Sequence, residues 1–250
     1  MEESMARPPR RLPPTADMTT TPKDALGEPL AEIAYRRIKA AILDGSLPPG
    51  LQAAEQQIAT QLGMSRTPVH MAIVRLQHEG WIDLSARRGL VIAPIVPDEL
   101  HHVYETLMAL EGTAVARLAR RPEGDADGID ARIAAACEAT EAALTQDDLT
   151  AWSDADGEFH HLLVETSGNP HLAQMARFVM EQAQRARNLT IRLRPRPEAS
   201  NADHRLILQR ILARDPGGAR AALEAHRTRG IETLVPILAA MAQPRKFLHS

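Results

Sequence analysis

Apolar residues recur at helical spacing along most of this 250-residue chain, with one short stretch that breaks the rule. Ile33, Ile38 and Ile42 predict a first ordered helix over 29–43. Ile58, Ala59 and Leu62 predict a second, short helix, ended by Gly63 in the left-handed conformation a helix cap uses, with Met64 filling the turn. Ser65 then stands at a cap position, and Pro68 falls in the first turn, where its missing N–H costs little. Val69, Ala72, Ile73 and Leu76 form the buried stripe of a third helix. From Trp81 the pattern changes. Trp81, Ile82 and Leu84, then Leu90, Val91 and Ile92, flank a turn holding Arg87, Arg88 and Gly89, which predicts a β-hairpin. Past Pro94 and Pro97 only helical periodicity remains, over 97–120, 127–145, 147–167, 170–193, 200–214 and 216–242. Prolines, glycines and Asn/Asp residues, such as Gly168-Asn169-Pro170 and Asp215-Pro216-Gly217, separate these segments. Short loops between helices imply an antiparallel bundle.

The expected fold is therefore mainly α: a winged helix–turn–helix with a small β-hairpin, then an all-α bundle. The domains are 29–95 and 97–242, between an arm at 1–28 and a tail at 243–250. The arm carries Pro8, Pro9, Pro13, Pro14 and Pro22 with few bulky apolar residues, a composition that favours disorder.

In the first domain, the N-terminal end of the third helix presents Ser65, Arg66, Thr67 and His70. Read alone, this is equally an ordinary helical hairpin with solvated polar ends. The basic hairpin that follows favours a winged helix–turn–helix, in which one helix braces and the next offers polar side chains to base edges and phosphates. Arg87, Arg88 and Gly89 at the wing can approach the sugar–phosphate backbone. Charge agrees in sign: 31–96 holds seven Lys/Arg against five Asp/Glu, whereas 97–250 holds eighteen against twenty-two. No run reaches the ~18 apolar residues of a membrane span, and no apolar stretch after Met1 resembles a signal peptide. Cys137 is the only cysteine, which excludes an intrachain disulfide and fits a reducing cytoplasm.

The bundle carries a second constellation. Asp156 and His160, at i, i+4, share a helix face with Trp152, Phe159 and Leu163, so they point inward. His204 shares a stripe with Ile207, Leu208 and Ile211, and His226 with Ala222, Leu223 and Leu234. Three imidazoles and a carboxylate on inward faces can converge on one divalent cation. Such a set suits Zn, Ni, Fe or Mn better than Mg or Ca. Each histidine read singly is more often a core histidine bonded to a neighbour. His101, His102, His161 and His171 read as surface residues.

Two resemblances sharpen these readings. DGSLPPG at 44–50, LGMSRTPVHMAIVRLQHEGWI at 62–82 and RRG at 87–89 resemble the DNA-binding domain of GntR-type bacterial transcription regulators. The resemblance implies DNA contacts by Arg66 and Thr67. Where the family usually has Arg-Glu after SRTPV, this chain has His70-Met71. DGEFHHLLVETSGNPHL at 156–172, ADHRLILQRILARD at 202–215 and ARAALEAHRTRGIETL at 219–234 resemble the all-helical effector domain, FCD, of the FadR subfamily. That resemblance implies metal ligation by Asp156, His160, His204 and His226, and an organic or sugar acid bound beside the metal. In ETLMALEG, similar to a family segment R-x-x-L-E, Leu107 stands at the arginine position, which leaves Arg185 or Arg187 to supply the anchoring cation.

The expected protein is a cytoplasmic homodimer, a repressor that binds double-stranded operator DNA and answers to a small-molecule effector. An alternative is a metal-dependent helical-bundle enzyme fused to a DNA-binding module, since His₃Asp can activate water and Glu158-x-x-His161 is half of a di-iron motif. The second Glu-x-x-His is missing, and no phosphate loop or G-x-S-x-G is present. The regulator is the simpler account.

Overall fold

The computed structural model describes residues 28–85, 89–122, 124 and 127–242. The expected disordered arm through residue 27, the expected tail, Arg87 and Arg88 lie outside the described residues. Backbone contacts divide the chain between Pro94 and Ile95, and each unit is taken by itself.

The N-terminal unit runs α1 (Leu30–Leu43), β1 (Gln52–Ala53), α2 (Glu55–Leu62), α3 (Arg66–His78), β2 (Ile82–Ser85) and β3 (Gly89–Ile92). Its core joins Ile38 and Ile42 of α1, Ile58 and Leu62 of α2, Val69, Ile73 and Leu76 of α3, and Trp81, Leu90 and Ile92 around the sheet. Gly63 ends α2 at φ 64°, and Met64 N–H donates to the Ala59 carbonyl at 3.0 Å, closing the turn before α3. Ser65 occupies the N-cap position of α3, but its side chain makes no capping hydrogen bond, contrary to the sequence expectation.

The wing is more than a hairpin. β1 pairs antiparallel with β3, Gln52 opposite Val91 and Ala53 opposite Leu90, giving a three-stranded sheet of order β1-β3-β2. This extra strand gives Gly89 a structural duty. At φ +69°, a side-chain carbon at Gly89 would lie 2.9 Å from the Ala53 carbonyl oxygen. The conformation alone costs a non-glycine residue roughly 1–2 kcal/mol, before that clash.

The C-terminal unit holds α4 (Pro97–Ala119), α5 (Ile129–Thr145), α6 (Leu149–Glu165), α7 (Pro170–Thr190), α8 (Glu198–Leu212) and α9 (Pro216–Ala242). The ends differ from the periodicity by a few residues because capping groups decide them. Asp148 Oδ1 accepts from the amides of Thr150 and Ala151 at 3.0 and 2.9 Å, so α6 starts after it. Asn169 does the same ahead of α7, with Pro170 at the first helical position. α4 packs on α9 and α7, α6 on α5 and α7, and α8 on α5 and α9. Cys137 lies in the main core with Phe159 and Leu163, and burial pushes its thiol up to about 11, so it behaves as a small apolar residue. Among the described residues, no helix is long and apolar enough to cross a membrane.

Candidate functional site

In the N-terminal unit, Ser65, Arg66, Thr67 and His70 are all exposed at the start of α3. Arg66 and His70 are not wholly free, because Glu55 at the start of α2 reaches both. Its carboxylate lies 3.2 Å from His70 Nδ1 and 3.7 Å from the Arg66 guanidinium. Exposed pairs of this kind are weak, about 0–1 kcal/mol, so a phosphate can displace them.

In the C-terminal unit, α6, α8 and α9 bring Asp156, His160, His204 and His226 to one point, all buried, with one ligating atom from each within 4.8 Å of the others. His160 Nε2 and His226 Nε2 are 3.2 Å apart. Asp156 Oδ1 lies 3.4 Å from His204 Nε2 and 4.0 Å from His160 Nε2. Donor atoms held at ~2.1 Å from one ion sit roughly 3.0–3.4 Å apart when adjacent and about 4.2 Å when opposite. The spacing is close to that of such a shell.

Carboxylates stand behind two of the ligands. His226 Nδ1 faces Asp203 Oδ2 at 3.3 Å, and His160 Nδ1 faces Glu111 Oε1 at 3.2 Å. For His226, an Nδ1–H offered to Asp203 turns the Nε2 lone pair away from it, the outer-shell arrangement of metal-binding histidines, whereas His160 Nδ1 is near Glu111 without a hydrogen bond to it. Burial, then the nearby Arg227 guanidinium, pushes His160 down to about 3. Burial pushes His226 down to about 4, although Asp203 opposes it. Both rings are thus neutral at pH 7, as a ligand must be. The Nε2–Nε2 separation of 3.2 Å is a hydrogen bond when one neutral ring carries its proton on Nε2, and when both carry it on Nδ1 the two lone pairs face the space an ion would fill. His204 is fully buried and stacks on Phe159 with centroids 4.4 Å apart, yet among the described residues neither of its ring nitrogens has a hydrogen-bond partner. Such an orphan is costly to bury. Burial alone would raise the Asp156 carboxyl, but Arg187, with Nε 3.0 Å from Oδ2, holds it well below the usual range. One oxygen answers arginine and the other faces the histidines. On donor type, protonation and spacing, the four residues fit a divalent transition metal.

Asp156 and His226 also line a cavity of about 110 Å³, with Tyr104, Trp152, Arg187 and Arg194 among its other walls. Of the two arginines expected to anchor an effector, Arg187 reaches the cavity but is engaged by Asp156 and Gln184. Arg185 is buried outside the lining, where desolvation lowers its guanidinium to about 10. Leu107 is packed in an apolar cluster with Tyr104, Ala183, Ala186 and Leu234. His101, His102 and His171 are exposed, and His161 pairs at 3.7 Å with Glu165. Glu158 and His161 are not in the cluster.

Four residues at the site escaped sequence reasoning: Glu111, Arg227, Asp203 and Arg194. Glu111 and Arg227 form a fully buried fork, Nε–Oε2 at 2.6 Å and Nη2–Oε1 at 2.5 Å. A charged residue among the apolar positions of α4, and another beside His226 on α9, was the available signal.

The profile described as "Bacterial regulatory proteins, gntR family" matches residues 30–92, and that described as "FCD domain" matches residues 102–229. An HTH-type transcriptional regulator in the TAR-I ttuE-ttuC' intergenic region of Agrobacterium vitis is 44% identical over 131 residues, which cover 52% of this chain and 77% of that protein. The HTH-type transcriptional regulator YdhC of Bacillus subtilis is 27% identical over 82% of this chain and 90% of its own length. Among solved structures, E. coli McbR/YncC superposes with a TM-score of 0.71 over 86% of this chain and 100% of that one, at 20% identity, which speaks to the fold. The winged helix–turn–helix, the helical unit and the matched profiles converge on one conclusion: this chain belongs to the GntR family of DNA-binding transcriptional regulators, in the subfamily that carries an FCD domain.

Proposed function

We propose that this regulator is a homodimeric repressor whose operator binding is set by a small organic or sugar acid, held in the C-terminal unit beside a divalent metal. Asp156, His160, His204 and His226 would hold the ion. When bound, it supplies a Lewis-acidic centre with open positions for a carboxylate or hydroxyl oxygen. The observation that carries this reading is the buried convergence of those four side chains, two of which, Asp156 and His226, line a cavity. A ligand there controls DNA binding only through different affinities for two states of the protein. The dimer fits the weak affinity of one small DNA-binding module, which a palindromic operator doubles.

On the DNA side, Ser65, Arg66, Thr67 and His70, with Arg87, Arg88 and Gly89 of the wing, are the proposed contact residues. Arg66→Ala is expected to weaken operator binding by roughly 1–3 kcal/mol if it reads a base edge, and to flatten the salt dependence if it meets phosphate. Gel-shift titration at two salt concentrations separates these, with metal content unchanged in the variant. Equal affinity for operator would remove Arg66 from the interface.

Native mass spectrometry of the protein, purified without chelator or metal-affinity tag, tests the whole reading. A dimer carrying one metal per chain supports it. A metal-free dimer, still empty after incubation with Zn, Ni or Mn, makes the three histidines a polar core network and ends the metal-centred proposal.

A further inference from the structure

On α3, Arg66 and His70 stand four residues apart, as do Thr67 and Met71, so the four exposed side chains share one outward face. Two of them are held from outside the helix. Glu55 lies in the first turn of α2, where a negative side chain is favoured, and its carboxylate stands beside both Arg66 and His70. The two contacts differ. Arg66 is at 3.7 Å, beyond hydrogen-bond distance, and can leave for a phosphate. His70 Nδ1 lies 3.2 Å from each carboxylate oxygen, so Glu55 keeps a partner when Arg66 departs.

An ionised carboxylate only accepts hydrogen bonds, so the His70 ring meets Glu55 with its proton on Nδ1. In the neutral ring Nε2 is then a bare lone pair. Most polar edges in the major groove are acceptors like it: guanine N7 and O6, adenine N7 and thymine O4. Phosphate oxygens are acceptors too. Only adenine N6 and cytosine N4 carry N–H there. An imidazole without such a neighbour has no fixed preference, because either nitrogen can carry its proton.

We propose that His70 is a specificity-determining residue that reads the exocyclic amino group of adenine or cytosine through Nε2, and that Glu55 is its positioning residue, fixing which nitrogen carries the proton. Met71, 59% exposed beside it, offers an apolar surface to a thymine methyl at a neighbouring position. The inference rests on the reading of α3 as the DNA-contact helix.

The test is selection of duplexes from a randomised pool by the full chain at about pH 8, above the ordinary imidazole range, followed by affinity titration on the enriched sequence. Wild type is expected to enrich adenine or cytosine at one fixed position, and the titration says which of the two. Replacing that base pair should weaken binding roughly 5–10-fold, the low end for a mismatch because one hydrogen bond is at stake. His70→Ala should accept all four bases there. Glu55→Gln should lose the same preference with His70 still in place, since an amide both donates and accepts and frees the ring to carry its proton on either nitrogen. His70→Gln, whose own amide pairs with adenine N6 and N7, should prefer adenine whether residue 55 is Glu or Gln. Exchanging the neighbouring thymine for deoxyuridine should weaken wild type and leave Met71→Ala unchanged. A Glu55→Gln protein with wild-type base preference removes Glu55 from the readout, and equal affinity of wild type for thymine and deoxyuridine removes Met71. Guanine, thymine or no preference at the position His70 governs overturns the His70 assignment, with the contact helix intact. Failure of wild type to enrich any sequence overturns the contact-helix reading itself.

Discussion

His204→Ala is expected to abolish stoichiometric metal binding while the helical unit stays folded. Replacing a mere outer-shell partner of a metal site costs about 10–100-fold in affinity, so loss of one of four ligands should exceed that range. Elemental analysis after equilibration with Zn, Ni or Mn should fall from one ion per chain to near zero. His204 is the most informative of the four, because among the described residues both its ring nitrogens lack hydrogen bonds, with Nε2 3.4 Å from Asp156 Oδ1. As a structural histidine it would stack on Phe159 and pack against the His160 and His226 rings beside Asp156. Truncation leaves a hole, with some loss of stability, but frees the fold from an unsatisfied polar ring. Operator affinity of the metal-free variant should resemble that of wild type stripped of metal, with the response to an added acid gone. A variant that retains one ion per chain would sink the four-ligand site.

The architecture was legible because its cores are periodic. Ile33, Ile38 and Ile42, then Val69, Ala72, Ile73 and Leu76, are the buried positions their spacing predicts. The two-residue strand Gln52–Ala53 was not, since two residues have no alternation to read; it exists only through its pairing with Val91 and Leu90. Without it, Gly89 reads as a wing glycine free to approach DNA, whereas the Ala53 carbonyl already excludes a side chain there. The convergence of Asp156, His160, His204 and His226 was legible for a similar reason: each lies on an apolar stripe, and stripes face the core. What surrounds them was not. Glu111 and Arg227 are 116 positions apart, and nothing local in either helix identifies the partner. Arg194, on the wall of the same cavity, lies in a loop between breakers, where periodicity says nothing of direction.

Breaking the Glu111–Arg227 pair is expected to produce the largest loss of stability in the molecule. Both side chains are almost wholly buried and joined by two short, charge-assisted bonds. Burial by itself would raise the Glu111 carboxyl, but Arg227, and then His160, hold it far below the usual range, so it remains ionised. Glu111→Gln leaves the Arg227 guanidinium buried beside a neutral amide, and removal of one partner of such a pair typically costs about 3–5 kcal/mol. At roughly 2–4 °C per kcal/mol for a unit of this size, the expected fall in Tm is about 6–20 °C. Because attraction only offsets the desolvation of both charges, Glu111→Leu with Arg227→Met should recover most of that stability, or all of it. The double variant separates two roles of Glu111. Its Oε1 also lies 3.2 Å from His160 Nδ1, behind the candidate metal ligands. Thermal unfolding of the double variant should therefore approach wild type while its metal affinity stays weakened by about 10–100-fold. Recovery of metal affinity along with stability would show that Glu111 serves the fold alone.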